Sequence, residues 1–192
     1  MAFNVNELKG ALKLGGARSA IFEVILDTPT YLPSFTDGAR FLVRAAEIPA
    51  ATVGVIDVTY FGRAVRFAGN RTFADWTVTV LNDEDFAVRD LLEAWSNSMN
   101  TLVGNRRLAL QDNGPGSYKA NATVNQLGKQ GNIIRAYEFQ GIFPTEIAAI
   151  GLDWATEGIQ EFTATFTYDA WIAKDTGTSQ HVLTEAAQNF AS

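Results

Sequence analysis

A single helix-like segment lies among segments that alternate with a period of two, and this arrangement constrains the fold most. Residues 82–100 carry apolar side chains at helical spacing, so these side chains share one face of a helix. The members of this stripe are Val88, Leu91, Leu92, Trp95 and Met99. Asn82 is the predicted N-cap, and the acidic residues 83–85 fall in the first turn, where the helix dipole favours negative charge. A lone amphipathic helix between strands must lay its apolar stripe on a sheet, which makes Leu91, Leu92, Trp95 and Met99 the expected helix–core contacts.

The predicted strands account for most of the remaining pattern. They cover residues 20–27, 38–48, 53–61, 64–68, 73–81, 120–127, 133–143 and 160–172. We expect Pro144 to stop the seventh of these strands, and the eighth is the longest. In the eighth strand, one face carries Phe162, Ala164 and Phe166, and we interpret this row as core.

A predicted hairpin at residues 53–68 is unusual because both of its faces are apolar. Gly62 and Arg63 form the expected tight connection between its two strands. One face can be buried in the domain, and the other then needs a second partner, such as another copy of the chain. A hairpin enclosed inside its own domain is the alternative, and the pattern alone does not decide between them.

Composition limits the chemistry that the chain can perform. The 192 residues contain no Cys and one His, and the net charge is −6. Disulfides, zinc fingers and thiol nucleophiles are therefore excluded, and His181 leaves little from which to build a catalytic triad. The acidic charge argues against a surface that grips nucleic acid. Residues 83–85 could instead form a metal site or an acid–base pair, but a helix start explains them better.

The two ends of the chain differ in composition from the rest. Residues 1–18 are interpreted as an N-terminal arm, residues 19–172 as the main domain and residues 173–192 as a C-terminal arm. That C-terminal arm is either frayed or docked on a neighbouring copy, and Val182, Leu183 and Phe190 are its expected contacts in the docked state. The spacing from Gly10 to Gly15 matches a phosphate loop, but Gly16 and Ala17 stand where Lys and Ser or Thr are required, so no cofactor is expected. No apolar run is long enough for a signal peptide or a membrane span.

Several local strings, taken in order, resemble one known family. They are GRAVRFA at residues 62–68, the helix opened by Asn82 with Trp95 inside it, YEFQGIFP at residues 137–144 and IQEFTATFTY at residues 159–168. Their order from residue 19 to residue 172 resembles the tail-tube proteins of contractile-tailed bacteriophages. The tube proteins of phage-derived bacteriocins and of type VI secretion are related to these.

The resemblance implies a mainly β fold of the α+β class, an antiparallel β-sandwich or partly closed barrel with one packed helix and a projecting hairpin. It also implies a non-enzymatic structural protein that forms hexameric rings, stacked into a hollow tube through which genomic DNA passes without specific binding. The implied partners are the tail sheath protein, the baseplate, the tail terminator and the tape-measure protein, and the implied location is the virion, after assembly in the host cytoplasm. The hairpin contacts between subunits would be Val53, Val55, Val58, Tyr60, Phe61, Val65 and Phe67. The polar face around Thr77 and Thr79, with polar groups of residues 120–127, would line the lumen.

Three other functions remain open from the sequence. The chain could be the tube protein of a bacteriocin or of a type VI secretion apparatus, which neighbouring genes would distinguish. It could be a carbohydrate-binding sandwich in which Tyr60, Tyr118 or Trp171 stacks on a sugar. An enzyme that needs only two carboxylates is compatible with the composition but is not indicated by any motif.

Overall fold

The computed structural model describes residues 10, 16–34, 42–105, 118–155 and 157–174. In chain order the strands are β1 (Phe22–Leu26), β2 (Val43–Ala46), β3 (Ala51–Tyr60), β4 (Arg63–Phe73), β5 (Trp76–Leu81), β6 (Ala120–Leu127), β7 (Ile133–Ile147), β8 (Glu161–Thr167) and β9 (Ala170–Lys174). The helix α1 (Ala87–Met99) lies between β5 and β6. No described helix has the length and apolarity that crossing a membrane would need.

Two antiparallel sheets face each other, and β7 takes part in both. The first part of β7 pairs with β6 and β9, and β1 pairs with β6; these strands form sheet A. The last part of β7 pairs with β8, which continues through β5 to β2; these strands form sheet B. β3 and β4 pair with each other as a separate two-stranded hairpin.

The core lies between the two sheets and is dominated by aromatic rings. Trp76 of sheet B stacks on Phe139 of sheet A with ring centroids 4.6 Å apart, and Phe166 lies 5.6 Å from Trp76. All three side chains are at most 2% exposed. Val24, Ala122 and Val124 complete the inner face of sheet A, while Val78, Val80, Phe162 and Ala164 complete that of sheet B. The predicted mainly β sandwich with a packed helix and a projecting hairpin is confirmed.

The helix begins five residues later than predicted. Phe86 is its N-cap and has a left-handed backbone (φ 54°), which separates the helix from the preceding turn. In that turn the Asp83 carboxylate accepts the backbone N–H of Glu84, and the Asp85 carboxylate accepts that of Ala87. Asn82 therefore does not cap the helix; its side-chain amide donates to the side-chain oxygen of Gln160 at 2.7 Å. These local side-chain bonds outcompete helix formation at the acidic residues.

The apolar stripe of α1 covers one side of the sandwich. Leu92 and Trp95 are at most 1% exposed, Val88 and Leu91 are also buried, and Met99 is half-buried against the core. Val88 and Leu92 share a small apolar cavity with Val24 and Leu26 of β1 and with residues of β2, β5 and β8. The Trp95 indole N–H donates to the carbonyl of Tyr118 at 2.8 Å, so the largest buried side chain of the helix is also hydrogen-bonded.

Two strand boundaries differ from the predictions because the chain changes sheet there. β7 continues through Pro144 to Ile147. Among the described strands, this part of β7 pairs with β8 alone, so its other edge is open. An open edge tolerates the missing N–H of proline. The predicted strand at residues 160–172 is instead two strands, β8 in sheet B and β9 in sheet A. The break falls at Tyr168 and Asp169, where the Asp169 N–H donates to Gln140 of β7 at 3.0 Å.

Two further boundaries were predicted incorrectly. Phe73 ends β4 instead of opening β5, so the hairpin arm is 11 residues long where residues 64–68 were expected. The backbone of Gly141, with φ 68°, interrupts the alternation of β7, so Ile142 is fully buried and Phe143 is half-buried. β6, in contrast, occupies the predicted residues 120–127.

Candidate assembly interface

The hairpin formed by β3 and β4 carries the largest exposed apolar surface among the described residues. Its turn is the two residues Phe61 and Gly62, with φ 48° and 76°, between the paired residues Tyr60 and Arg63. Two positive φ angles are typical of the type I′ turn, whose twist matches that of the two strands. The strand pattern and this turn therefore form a hairpin whose two strands pair with each other.

One side of the hairpin, its apolar face, carries Ile56, Val58, Tyr60, Val65 and Phe67, with Arg63 opposite Tyr60 at its outer end. Ile56 lies opposite Phe67, and Val58 lies opposite Val65, so the apolar side chains form cross-strand pairs. The exposed fraction of these five side chains ranges from 48% to 70%. The described residues thus leave a continuous apolar strip of surface without a cover.

The other side, its mixed face, contains both apolar and charged groups. Val53 and Val55 are exposed there, and Asp57 lies opposite Arg66, with 3.3 Å between carboxylate and guanidinium. Phe61 at the tip is 89% exposed. All seven predicted contact residues (Val53, Val55, Val58, Tyr60, Phe61, Val65 and Phe67) are therefore exposed, and the alternative of a hairpin enclosed in its own domain is wrong for this monomer.

A bulge separates the outer part of the hairpin from its root. Gly54 faces both Gly69 and Asn70, because Val53 pairs with Arg71 while Val55 pairs with Ala68. A Cβ on Gly69 would lie 3.1 Å from the carbonyl oxygen of Gly54, which explains why glycine stands there. The extra residue increases the local twist and bends the arm away from sheet B.

The hairpin root is fixed to the sandwich by an aromatic cluster. The Phe73 ring lies 6.0 Å from Tyr168 and 6.2 Å from Trp171. The Tyr168 hydroxyl donates to the carbonyl of Ala74 at 2.6 Å, and the Ala74 N–H donates to Ala50 at 3.1 Å. Burial, with the Asp75 carboxylate as the smaller cause, raises the pKa of Tyr168 from its ordinary 10.0 to about 12. Tyr168 therefore remains a neutral hydrogen-bond donor at physiological pH.

A second exposed apolar group was missed in the sequence. The loop at residues 148–160, here the distal loop, exposes Leu152, Trp154 and Ile159, and Trp154 is fully exposed. The sequence suggested only a short connection at residues 147–154. A Trp beside Asp153, in a stretch with acidic but no basic residues, was the available signal.

The remaining predicted positions divide between the core and regions outside the described residues. Leu91, Leu92, Trp95 and Met99 lie in the core, as described above. Val182, Leu183 and Phe190 of the C-terminal arm, and His181, lie outside the described residues. Trp171 cannot act as an open sugar platform, because its ring packs edge-on against Tyr137 at 5.7 Å as well as against Phe73.

The structure offers no assembled chemical site among the residues that it describes. No group of three or more His, Asp or Glu residues is placed to hold a metal ion within the described ranges. A cavity of about 300 Å³ lies beside the β6–β7 turn, lined mainly by Ile21, Leu127, Ile134 and backbone of the flanking segments. The exposed hairpin is therefore the strongest candidate for a functional surface among the described residues.

Comparisons with known proteins identify the family of the chain. A family model described as phage tail tube protein matches residues 17–174. The tail tube protein gp19 of Enterobacteria phage T4 is 33% identical over 171 residues, which cover 87% of this chain and 98% of gp19. A tail tube protein of Serratia phage KSP90 is 26% identical over 169 residues, covering 85% of this chain and 93% of that protein.

The fold is also shared with solved tube structures of injection systems. A chain from the sheath–tube complex of an extracellular contractile injection system in the extended state has a TM-score of 0.59 at 13% identity, covering 91% of this chain and 100% of that chain. A chain from the tube-terminating cap of the anti-feeding prophage has a TM-score of 0.62 at 13% identity, covering 83% and 91%.

Proposed function

Because the chain belongs to the phage tail tube protein family, we propose that it assembles into hexameric rings that stack as the inner tube of a contractile phage tail. The exposed hairpin is the observation that carries this proposal. Its contact residues are Val53, Val55, Val58, Tyr60, Phe61, Val65 and Phe67, and each lies on a surface that a lone copy leaves open to water. Copies of the same chain would cover these side chains in the tube.

The free energy gained by burying the hairpin against another copy is substantial. Covering one half-exposed apolar side chain of this size yields roughly 1 kcal/mol, so seven of them provide several kcal/mol per hairpin before the costs of ordering. If the hairpin docks on a different surface of another copy, the contact is heterologous. Repeated heterologous contacts continue without closing along an axis, which is how a tube grows.

The outer face of sheet B is the best candidate for the channel wall. Thr77 lies opposite Thr165 and Thr79 opposite Thr163, so hydroxyl groups dominate this face. Its polar residues are largely uncharged, apart from Glu146 and the exposed ion pair of Arg44 with Glu161. A channel wall with few positive charges makes few of the phosphate contacts that release counterions. DNA can therefore slide through the channel without binding to it.

The second predicted lumen segment, the polar groups of β6, cannot share that role. β6 belongs to sheet A, and the outer faces of the two sheets point to opposite sides of the sandwich. We therefore assign the channel to the threonine face alone. Tubes of Thr77→Lys with Thr79→Lys should retain DNA at low salt, whereas wild-type tubes and tubes of Thr123→Lys on β6 should not.

The wider setting follows from the same role. The tube would contact the tail sheath, the baseplate, the tail terminator and the tape-measure protein, and it would be part of the virion after assembly in the host cytoplasm. Val182, Leu183 and Phe190 would anchor the C-terminal arm on a neighbouring subunit, and residues 1–18 would form the N-terminal arm. The role requires no catalysis, and no cofactor is proposed.

Electron microscopy and sedimentation velocity of the purified chain test this proposal. We expect rings or tubes of the wild-type protein at high concentration. Replacing residues 54–70 by Asn-Gly keeps the root pair of Val53 with Arg71 and should give monomers of unchanged thermal stability. Lys129→Ser, on the exposed β6–β7 turn, serves as a control that should still polymerise. Tubes that form normally without the hairpin would contradict the proposal.

A second candidate is the tube of an injection particle without a genome. We retain this candidate because the fold is shared with a chain from the extracellular contractile injection system. Extraction of DNA from purified particles decides between the two, because a phage particle contains a genome and an injection particle does not.

A further inference from the structure

The hairpin and the distal loop lie at opposite ends of sheet B. β5 starts at Trp76, beside the hairpin root, and ends at Leu81, which pairs with Glu161 at the start of β8. The distal loop joins the end of β7 to that start of β8. Its two ends are held there by backbone bonds of 2.8 Å, from Ala148 to Thr163 and from Asn82 to Gln160. Each copy therefore presents one exposed apolar surface at each end of the same sheet.

The charges of the two surfaces are complementary. The hairpin strands and turn, residues 51–73, contain Arg63, Arg66, Arg71 and one acidic residue, Asp57, for a net charge of +2. The distal loop contains Asp153 and Glu157 and no Lys or Arg, for a net charge of −2. This separation is notable in a chain whose total charge is −6. Opposite potentials steer docking and fix its orientation.

We infer that the apolar face of the hairpin in one copy docks on the distal loop of a second copy in the next ring. This inference rests on the proposed tube. Trp154, Leu152 and Ile159 would cover Ile56, Val58 and Phe67, while Asp153 and Glu157 approach Arg63, which lies on the same face opposite Tyr60. A fully exposed Trp at the rim of an acidic loop has the character of an interface anchor, because aromatic residues dominate binding energy at protein contacts.

Another exposed apolar pair, Leu102 and Val103, is less suited to this role. It follows the C-terminal end of α1, whereas the N-terminal end of α1 lies at the distal loop, where Arg89 donates to Ala148 at 3.3 Å. The pair therefore does not lie opposite the hairpin along sheet B. It provides a matched control, since both side chains are more than 90% exposed.

Disulfide trapping tests the inference directly, because the natural chain has no Cys. One protein carries Val58→Cys on the apolar face, a second carries Ala155→Cys beside Trp154, and the two are mixed under mild oxidation during assembly. We expect heterodimers to form at least tenfold faster than with Val103→Cys as the loop partner. Thr59→Cys, on the mixed face, should trap more slowly than Val58→Cys.

A charge reversal tests the same contact without cysteines. Asp153→Lys with Glu157→Lys should shift the concentration needed for assembly upward at least tenfold, and combination with Arg63→Glu should recover part of the loss. Trp154→Ser should weaken assembly while leaving the melting temperature unchanged, because the side chain is outside the core.

The outcomes separate this inference from the proposed function. If wild-type protein forms no rings or tubes, the proposed function fails. If wild-type tubes form and hairpin deletion abolishes them, but Ala155→Cys traps no faster than Val103→Cys and Trp154→Ser assembles normally, only the docking inference is overturned. Faster trapping at Ala155→Cys together with recovery by the double reversal establishes it.

Discussion

β8 and β3 have similar alternating sequences but opposite environments. In β8, Phe162, Ala164 and Phe166 are buried between the two sheets, whereas in β3 the apolar residues Ile56 and Val58 are exposed. β8 has a neighbouring strand on each side and a second sheet above it, while β3 pairs with β4 alone among the described strands. The comparison shows that alternating apolar residues predict a strand. They do not reveal whether the apolar face is buried by the same chain or by another one.

The two regions should therefore respond differently to mutation. Substitutions in the sandwich should lower the free energy of unfolding of the monomer, whereas substitutions in the hairpin should leave it nearly unchanged and alter assembly instead.

Trp95→Ala should produce the largest loss of stability. It removes a fully buried side chain and its hydrogen bond to Tyr118, so we expect the free energy of unfolding to fall by about 3–5 kcal/mol. Urea denaturation followed by circular dichroism measures this change, with Trp154→Ala as the exposed control. A loss below about 1 kcal/mol would show that α1 does not close the core.

Tyr168→Phe should produce an intermediate effect at the boundary between the two regions. It removes the donor to Ala74, and the expected loss at neutral pH is about 1 kcal/mol. The pKa of Tyr168 is raised to about 12 in the folded protein, so its contribution is present below pH 10 and is lost as pH rises from 10 to 12.

Stability measured as a function of pH separates this tyrosine from the other ionisable groups. The wild-type protein should lose more stability than Tyr168→Phe over the interval from pH 10 to pH 12. Parallel curves for the two proteins in that interval would contradict the assignment.

Val58→Asp with Val65→Asp should have little effect on the monomer. Both side chains are about half exposed, and the change is expected to stay within about 0.5 kcal/mol in the free energy of unfolding. The same double variant should abolish polymers, which sedimentation velocity and thermal melting can compare on one sample. A large drop in melting temperature would mean that the hairpin is part of the folded core.

Arg66→Gln should give the smallest change. The ion pair with Asp57 is exposed, and such pairs contribute about 0–1 kcal/mol, less at high salt. Melting curves at low and high salt should therefore nearly coincide for variant and wild type. The variant should still raise the concentration required for assembly, because it removes one of the three arginines of the hairpin.

The sequence predicted the architecture better than the boundaries. The helix stripe around Trp95 follows local rules of spacing and was found where expected. The hairpin turn consists of Phe61 and Gly62, one residue earlier than the predicted Gly62 and Arg63. The start of the helix was wrong because the side chains of Asp83 and Asp85 bind nearby backbone groups, a competition that composition does not resolve. The split of residues 160–172 at Asp169 depends on a partner in β7 that is distant in sequence.

The candidate interface was only partly accessible from the sequence for a similar reason. The sequence of the hairpin contains its own signal, because apolar residues occur on both faces of its strands, and its contact residues could be named in advance. Trp154 has only a weak signal, its acidic surroundings, because a single aromatic residue in a loop is as compatible with burial as with exposure. Its position opposite the hairpin depends on the pairing of β5 with β8, which only the folded structure provides.

The continuity of β7 through both sheets has a mechanical consequence. Ile133–Ile147 is one uninterrupted strand, so the two layers are joined by covalent backbone as well as by their packed faces. A force along the tail that tends to shear one layer past the other must stretch this strand and its hydrogen-bonded neighbours. Each building block should thus transmit axial load as a rigid unit, and deformation during tail contraction should concentrate in the joints between copies.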